Sequence, residues 1–166
     1  MFDFEWVNAN LYSGLYTRTK SFFDESELSS SGRAASQEEL RLLAPYLSDV
    51  RKDILDGQWK PPIHDGSGRD REIAKKSLDL LAQAGYRIKG DVLTKDGAPV
   101  RFEIMVKDRN QERLALNFSS SLQRIGVEAQ VRLVDEVQYQ RRRQKFDFDM
   151  MIGDRKSTRL NSSHLG

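Results

Sequence analysis

The chain has 166 residues, 38% hydrophobic and 31% charged, enough for one ordinary domain with its own core. No apolar run approaches the ~20 residues that span a bilayer, and the absence of cysteine excludes disulfides, thiolate zinc sites and cysteine nucleophiles. The pI of 8.9 hints at nucleic acid, but the excess charge sits in Asp154–Gly166: removing its three cations and one acid from 27 and 25 leaves 24 of each.

Met1 is followed at once by Phe2, Asp3, Phe4, Glu5 and Trp6, with no basic leader and no small-residue cleavage site. Phe4, Val7, Leu11 and Leu15 recur at helical spacing, which predicts a buried helix from Asp3 to about Ser13 with Gly14 near its end. Further aromatics, Tyr12, Tyr16, Phe22 and Phe23, precede a polar, Ser-rich stretch, Asp24 to Gly32, that reads as exposed loop. Ser36 and Glu39 form a capping-box pair that opens a short helix to Leu43, with Pro45 past its end. From Asp56 to Arg69 a Pro/Gly-rich connector carries Trp59, His64 and the turn Asp65-Gly66-Ser67-Gly68.

The second half is more regular. A helix from Asp70 to Ala84 shows Ile73, Ser77, Leu80, Leu81 and Ala84 on one face and stops at Gly85. Short strands flank turns at Lys89-Gly90 and Asp96-Gly97. Val100, Phe102, Ile104 and Val106 alternate as one strand face. Asp108 caps a helix carrying Leu114, Phe118, Leu122 and Ile125, which ends at Gly126. Val127, Ala129, Val131 and Leu133 alternate again, Asp135 with Gln138 opens a polar helix, and Phe146, Phe148, Met150 and Ile152 alternate as a third strand. Strand, helix, strand, helix, strand with short connections is an α/β pattern, a βαβαβ unit with parallel neighbours.

No catalytic constellation stands out. His64 reads as an exposed loop histidine. Gly66-Ser67-Gly68 before a helix could hold an anion on backbone N–H groups, but it lacks the Lys-Ser/Thr of a phosphate loop. Asp147 and Asp149 share a strand face without further ligands at a readable spacing, and Arg141–Arg143 read as a solvated helix face. The helix start after Val106 is more telling, because open α/β sheets gather ligands at the carboxyl ends of their strands. Lys107, Asp108, Arg109, Asn110 and Arg113 sit there, and an arginine so placed can pair with a carboxylate.

The runs Leu78-Asp-Leu-Leu-Ala-Gln-Ala-Gly-Tyr86, Arg101-Phe-Glu-Ile-Met-Val106, Leu122-Gln-Arg-Ile-Gly-Val127 and Phe146-Asp-Phe-Asp-Met150 resemble, in order and spacing, bacterial solute-binding protein family 5. Phe2-Asp-Phe-Glu-Trp6, Gly14-Leu-Tyr-Thr-Arg18, Ser26-Glu-Leu28 and Asp65-Gly-Ser-Gly-Arg69 resemble its oligopeptide and microcin C branch. The resemblance covers residues 2 to 153. It implies part of a two-lobed periplasmic-binding-protein fold (type II, large-lobe cluster), with a helix and loop-rich part over 1–69 and an α/β lobe segment over 70–153. It implies a non-enzymatic component of an ABC importer that closes over a peptide or peptide-like ligand. Its partners would be permease subunits of the inner membrane, with no cofactor, metal or nucleic acid, and the full-length protein would be a periplasmic monomer. Family members are longer and carry a signal peptide, so the chain is expected to be an internal piece. An arginine near the helix after the first strand of this lobe binds the ligand carboxylate in some relatives, which makes Arg109, Asn110 and Arg113 the expected ligand-binding residues. Asp154–Gly166 has no hydrophobic period and resembles a translated sequencing adapter. A small nucleic-acid-binding α/β module using Arg141–Arg143, or a nucleotide-dependent enzyme subunit using Gly66–Arg69, are the alternatives from other classes.

Overall fold

The computed structural model describes residues 1–21, 23–24 and 26–153; Phe22, Glu25 and residues 154–166, among them the stretch expected to be adapter-like, lie outside the described residues. The chain divides into two compact units, one of residues 3–67 and one of Met1–Phe2 with the chain from Gly68 on.

In the first unit, α1 spans Phe4–Leu11. The Asp3 carboxylate accepts the Trp6 N–H at 3.0 Å, supplying one of the bonds that a helix start leaves unmade. The helix stops two residues short of its expected end. Ser13 and Gly14 both have positive φ, and the Gly14 N–H turns back to the Asn8 carbonyl. The Asn8 side chain then clamps Tyr16 through both its carbonyl and its N–H, at 2.7 and 3.0 Å. Leu15 therefore falls off the helical face and is 82% exposed, against its expected place in the core, whereas Val7 is buried. α2 (Gln37–Leu43) has both bonds of the Ser36–Glu39 capping box. A 3-10 turn over Ala44–Tyr46 takes Pro45 at its start, where no amide hydrogen is needed. α3 (Lys52–Leu55) is a single turn, and Gly57 behind it brings the backbone against Arg33 and Ala34.

In the second unit, α4 (Arg71–Gln83) is capped by Asp70, and Ile73, Leu78 and Leu81 are half-buried while Leu80 is 56% exposed. β1 (Arg87–Lys89), β2 (Val92–Lys95) and β3 (Ala98–Pro99) form an antiparallel meander. Asp96 and Gly97, both at positive φ, make the two-residue turn between β2 and β3. The parallel sheet has the order β5–β4–β6, with β4 over Arg101–Val106, β5 over Glu128–Leu133 and β6 over Met150–Met151. α5 (Arg109–Gln123) joins β4 to β5, and α6 (Glu136–Gln144) joins β5 to β6. Ile104, Val106, Val127 and Ala129 pack with Ala115, Leu122 and Ile125 in one cluster, and Met105 packs with Val134 and Tyr139 in another. Alternation along β4 thus feeds two cores on opposite faces of the sheet. Near its end β4 is buried on both faces, with Ile104, Met105 and Val106 at most 1% exposed.

The third strand is shorter than its alternation suggests. Phe146 has φ 55° and is 83% exposed, because the chain leaving α6 turns back and the Asp147 N–H bonds the Arg142 carbonyl at 2.9 Å. Only Met150 and Met151 pair with β4, opposite Ile104 and Met105. Just before them the Asp149 carboxylate accepts the Glu103 N–H at 2.9 Å, meeting a strand-edge donor that β6 starts too late to reach.

Candidate functional site

The carboxyl ends of β4, β5 and β6 carry the polar groups that the fold brings together in the second unit. Asp108 caps α5 with its carboxylate, accepting from Asn110 and Gln111 N–H at 2.9 Å each. Gln111, third along the helix, faces inward and is buried: its carbonyl oxygen accepts the Lys107 N–H at 3.1 Å. Across the edge the Tyr139 hydroxyl of α6 donates to the Ile152 carbonyl at 2.6 Å, and the Gln111 carboxamide donates to the same oxygen at 3.4 Å. The Lys107 ammonium stands 5.7 Å over the Tyr139 ring and 3.7 Å from the Glu136 carboxylate. Beside this network lies an open depression of about 430 Å³ lined by Lys107, Glu136, Tyr139, Gln140, Arg143, Met151 and Gly153. Its walls are mostly polar, so it suits a polar or charged group more than an apolar one.

Of the expected ligand-binding residues, Arg109 and Asn110 lie in the first turn of α5 and Arg113 in the next, all exposed. Arg109 is held by Glu112 at 2.6 Å with its side chain 81% exposed. None of the three lines the depression. The residues that do come from Lys107 at the end of β4, from α6, and from Met151 and Gly153 at the end of β6. For the two buried polar residues of the network the signal was the helical period: Gln111 is one turn before Ala115 on the buried stripe, and Tyr139 is one turn after the cap Asp135 on a helix whose other apolar residue, Val137, is exposed.

The other candidates resolve into structural roles. Arg142 is drawn into a cluster in which Glu103 receives it at 2.8 Å, Arg132 shares the same carboxylate, and Asp147 stands 3.4 Å away. The Glu103 bond, with Asp147 adding to it, raises the Arg142 pKa above its ordinary value against the opposing effect of burial. The middle arginine of Arg141–Arg143 is therefore a strut between α6 and the sheet. His64 is 8% exposed, so the exposed loop histidine expected at this position is buried instead. In the turn that follows, the Asp65 carboxylate accepts both the Ser67 N–H at 2.9 Å and the Ser67 hydroxyl at 2.6 Å, which lowers the Asp65 pKa. The N–H group that a phosphate would use already serves a carboxylate two residues away. The first unit holds a separate depression of about 440 Å³ with Leu43, Val50, Ile54, Leu55 and Trp59 in its wall. Among the described residues no three His, Asp or Glu side chains converge as metal ligands, and no helix is long and apolar enough to cross a membrane.

Residues 1–159 match the family described as bacterial extracellular solute-binding proteins, family 5 Middle. The chain belongs to this family. A Brucella melitensis protein named as a binding protein is 48% identical over 154 residues, 92% of this chain and 25% of that one. The peptidoglycan-binding protein YepA of Agrobacterium fabrum is 42% identical over 151 residues, 90% of this chain and 25% of YepA. The chain thus spans about a quarter of the length of these relatives. Among solved structures, the oligopeptide-binding protein OppA superposes with a TM-score of 0.58 over 96% of this chain and 21% of OppA, at 20% identity. That likeness shows the fold, the α/β architecture of a two-lobed periplasmic binding protein. Family 5 proteins bind solutes and are not enzymes.

Proposed function

We propose that this chain is part of the substrate-binding component of an ABC importer for peptides or oligopeptides, acting in the periplasm. Its lobe would close over the ligand, with binding energy selecting the closed state, and the loaded protein would dock on inner-membrane permease subunits. The family match across residues 1–159 carries this reading. An Agrobacterium fabrum relative named for peptide binding, 32% identical over 153 residues, supports the ligand class. On this reading Arg109, Asn110 and Arg113 face the ligand at the start of α5, where Arg109 would exchange its Glu112 partner for a ligand carboxylate.

The resemblance to YepA favours a second, narrower reading, in which the peptide comes from the cell wall. Both are tested by sequencing the source locus across the codons of Gly153 and Asp154 and expressing the frame found there. A frame that continues in solute-binding sequence beside permease and ATPase genes supports the importer. Titration calorimetry with tetraalanine and with a peptidoglycan stem tetrapeptide then separates the two ligand classes. Binding of neither, with no transporter genes nearby, overturns the proposal.

A further inference from the structure

The exit of β6 is held by side chains of both helices. Tyr139 and Gln111 are polar yet buried, 2% and 7% exposed, and they come from α6 and α5 on opposite faces of the sheet. Both donate to one acceptor, the Ile152 carbonyl, at 2.6 and 3.4 Å. Gln111 also accepts the Lys107 N–H, so one carboxamide ties the end of β4 to the end of β6. The Tyr139 ring packs with Met105 and Val134, with Phe148 and Met151 against them, which fixes the hydroxyl's origin. β6 itself contributes only the register Ile104–Met150 and Met105–Met151. Two parallel residue pairs are little to set the direction of a chain, and parallel pairing is the weaker kind.

We propose that Tyr139 and Gln111 are positioning residues that fix Ile152 and so the course the chain takes from the carboxyl edge of the sheet. Open α/β sheets gather ligands at that edge, so the pair sets where Ile152 and Gly153 stand with respect to a ligand. This last step rests on the importer reading; the anchoring itself does not.

The chain has no cysteine, and a Cβ built at Gly153 meets nothing within 4 Å, so Gly153→Cys gives a single, unstrained site for a nitroxide spin label. The label is compared in the 166-residue chain and in the same chain with Tyr139→Phe, Gln111→Met or both. Phenylalanine keeps the ring in its cluster and deletes the hydroxyl that bonds Ile152. Loss of one hydrogen bond is expected to raise the ratio of mobile to immobile label roughly two- to tenfold in Tyr139→Phe. The rise is smaller in Gln111→Met, whose bond is longer and weaker. Thermal unfolding shows whether each variant remains folded; should Tyr139→Phe not fold, Gln111→Met carries the test from the other face. A label spectrum in the folded variants identical to that of the parent overturns the anchor. Failure of the longer frame to bind either peptide counts against the importer reading alone and leaves the anchor standing.

Discussion

The two units use their apolar residues differently. In the second, period-2 strands and period-3.6 helices meet face to face, and Leu93, Ile104, Met105, Val106, Ala115, Leu122, Ile125, Val127 and Ala129 are all buried. In the first, Val7 is the buried aliphatic residue among those described, whereas Leu15, Tyr16, Leu28, Leu42, Tyr46 and Ile63 are each more than half exposed. Both units contain enough large side chains for a core; the difference lies in order. Regular elements bring alternate residues to one surface, whereas short helices joined by turns aim theirs in many directions. The first unit should accordingly be the less stable.

One pair of substitutions tests this with the same chemistry in both units. Gly126 and Gly57 have φ of +78° and +67°, and each lies against backbone: a Cβ would stand 2.7 Å from the Leu93 nitrogen at Gly126 and 2.5 Å from the Arg33 carbonyl carbon at Gly57. Leu93 is 2% exposed and its N–H donates to the Gly126 carbonyl at 2.7 Å, so it has nowhere to go. Arg33 and Ala34 are exposed and can give way. Gly126→Ala is expected to cost about 4 kcal/mol from overpacking plus left-handed strain, and Gly57→Ala about 2 kcal/mol. Gly90→Ala, with positive φ but open space, serves as control and should cost only about 1 kcal/mol. Both tryptophans, Trp6 and Trp59, lie in the first unit, so indole fluorescence in urea reports that unit while circular dichroism also samples the second. Gly57→Ala should lower the fluorescence midpoint, and Gly126→Ala the circular dichroism midpoint. Equal shifts of both signals in both variants would show that the chain melts as one body and break the comparison.

Much of the second unit was legible because local signals agreed. Asp108 and Asp135 cap as expected, and the strand at Val100–Val106 and the stop at Gly126 fall where the pattern places them. The third strand was misjudged in length because alternation records which way side chains would point in a strand and not whether a partner is in reach. The turn at Phe146 and the side-chain bond of Asp149 decide that. The polar network at the carboxyl edge of the sheet was legible as a place, but the buried residues that tie it together were not. Charged types drew attention to Arg109 and Arg113, yet the inward stripe of α5 runs through Gln111, a residue whose type gives no hint of its burial. Likewise nothing in three consecutive arginines says that the middle one meets Glu103, 39 positions earlier.

That strut offers a smaller effect. Arg142→Ala leaves Glu103 paired with Arg132, and both members of the lost pair are partly exposed, so the expected cost is about 1 kcal/mol. The loss should appear in the circular dichroism midpoint and shrink in high salt, which screens the parent's pair and leaves the variant nearly unchanged. Indole fluorescence should not move. A shift in fluorescence as large as that in circular dichroism would mean that the strut supports more than the second unit.

The smallest effect returns to the first unit and to pH. Glu39 accepts the Ser36 N–H at 2.6 Å, and the bonds it makes to Ser36, first backbone and then side chain, with Arg33 nearby, hold its pKa below the ordinary 4.5. A carboxyl whose pKa is lowered on folding contributes stability above its unfolded pKa and loses it as the pH falls through the folded value. Acidification below 4.5 should therefore loosen the first turn of α2, visible as loss of helical shifts at Gln37 to Leu40 in a pH titration by NMR. Glu39→Gln can make the same capping bond but cannot titrate, so its helical shifts should stay flat over that window, at a somewhat lower starting helicity for want of a negative charge near the helix start. If the variant loses those shifts at the same pH as the parent, the capping box is not what acid releases. The loosening would then belong to the first unit as a whole, as its thin core would allow.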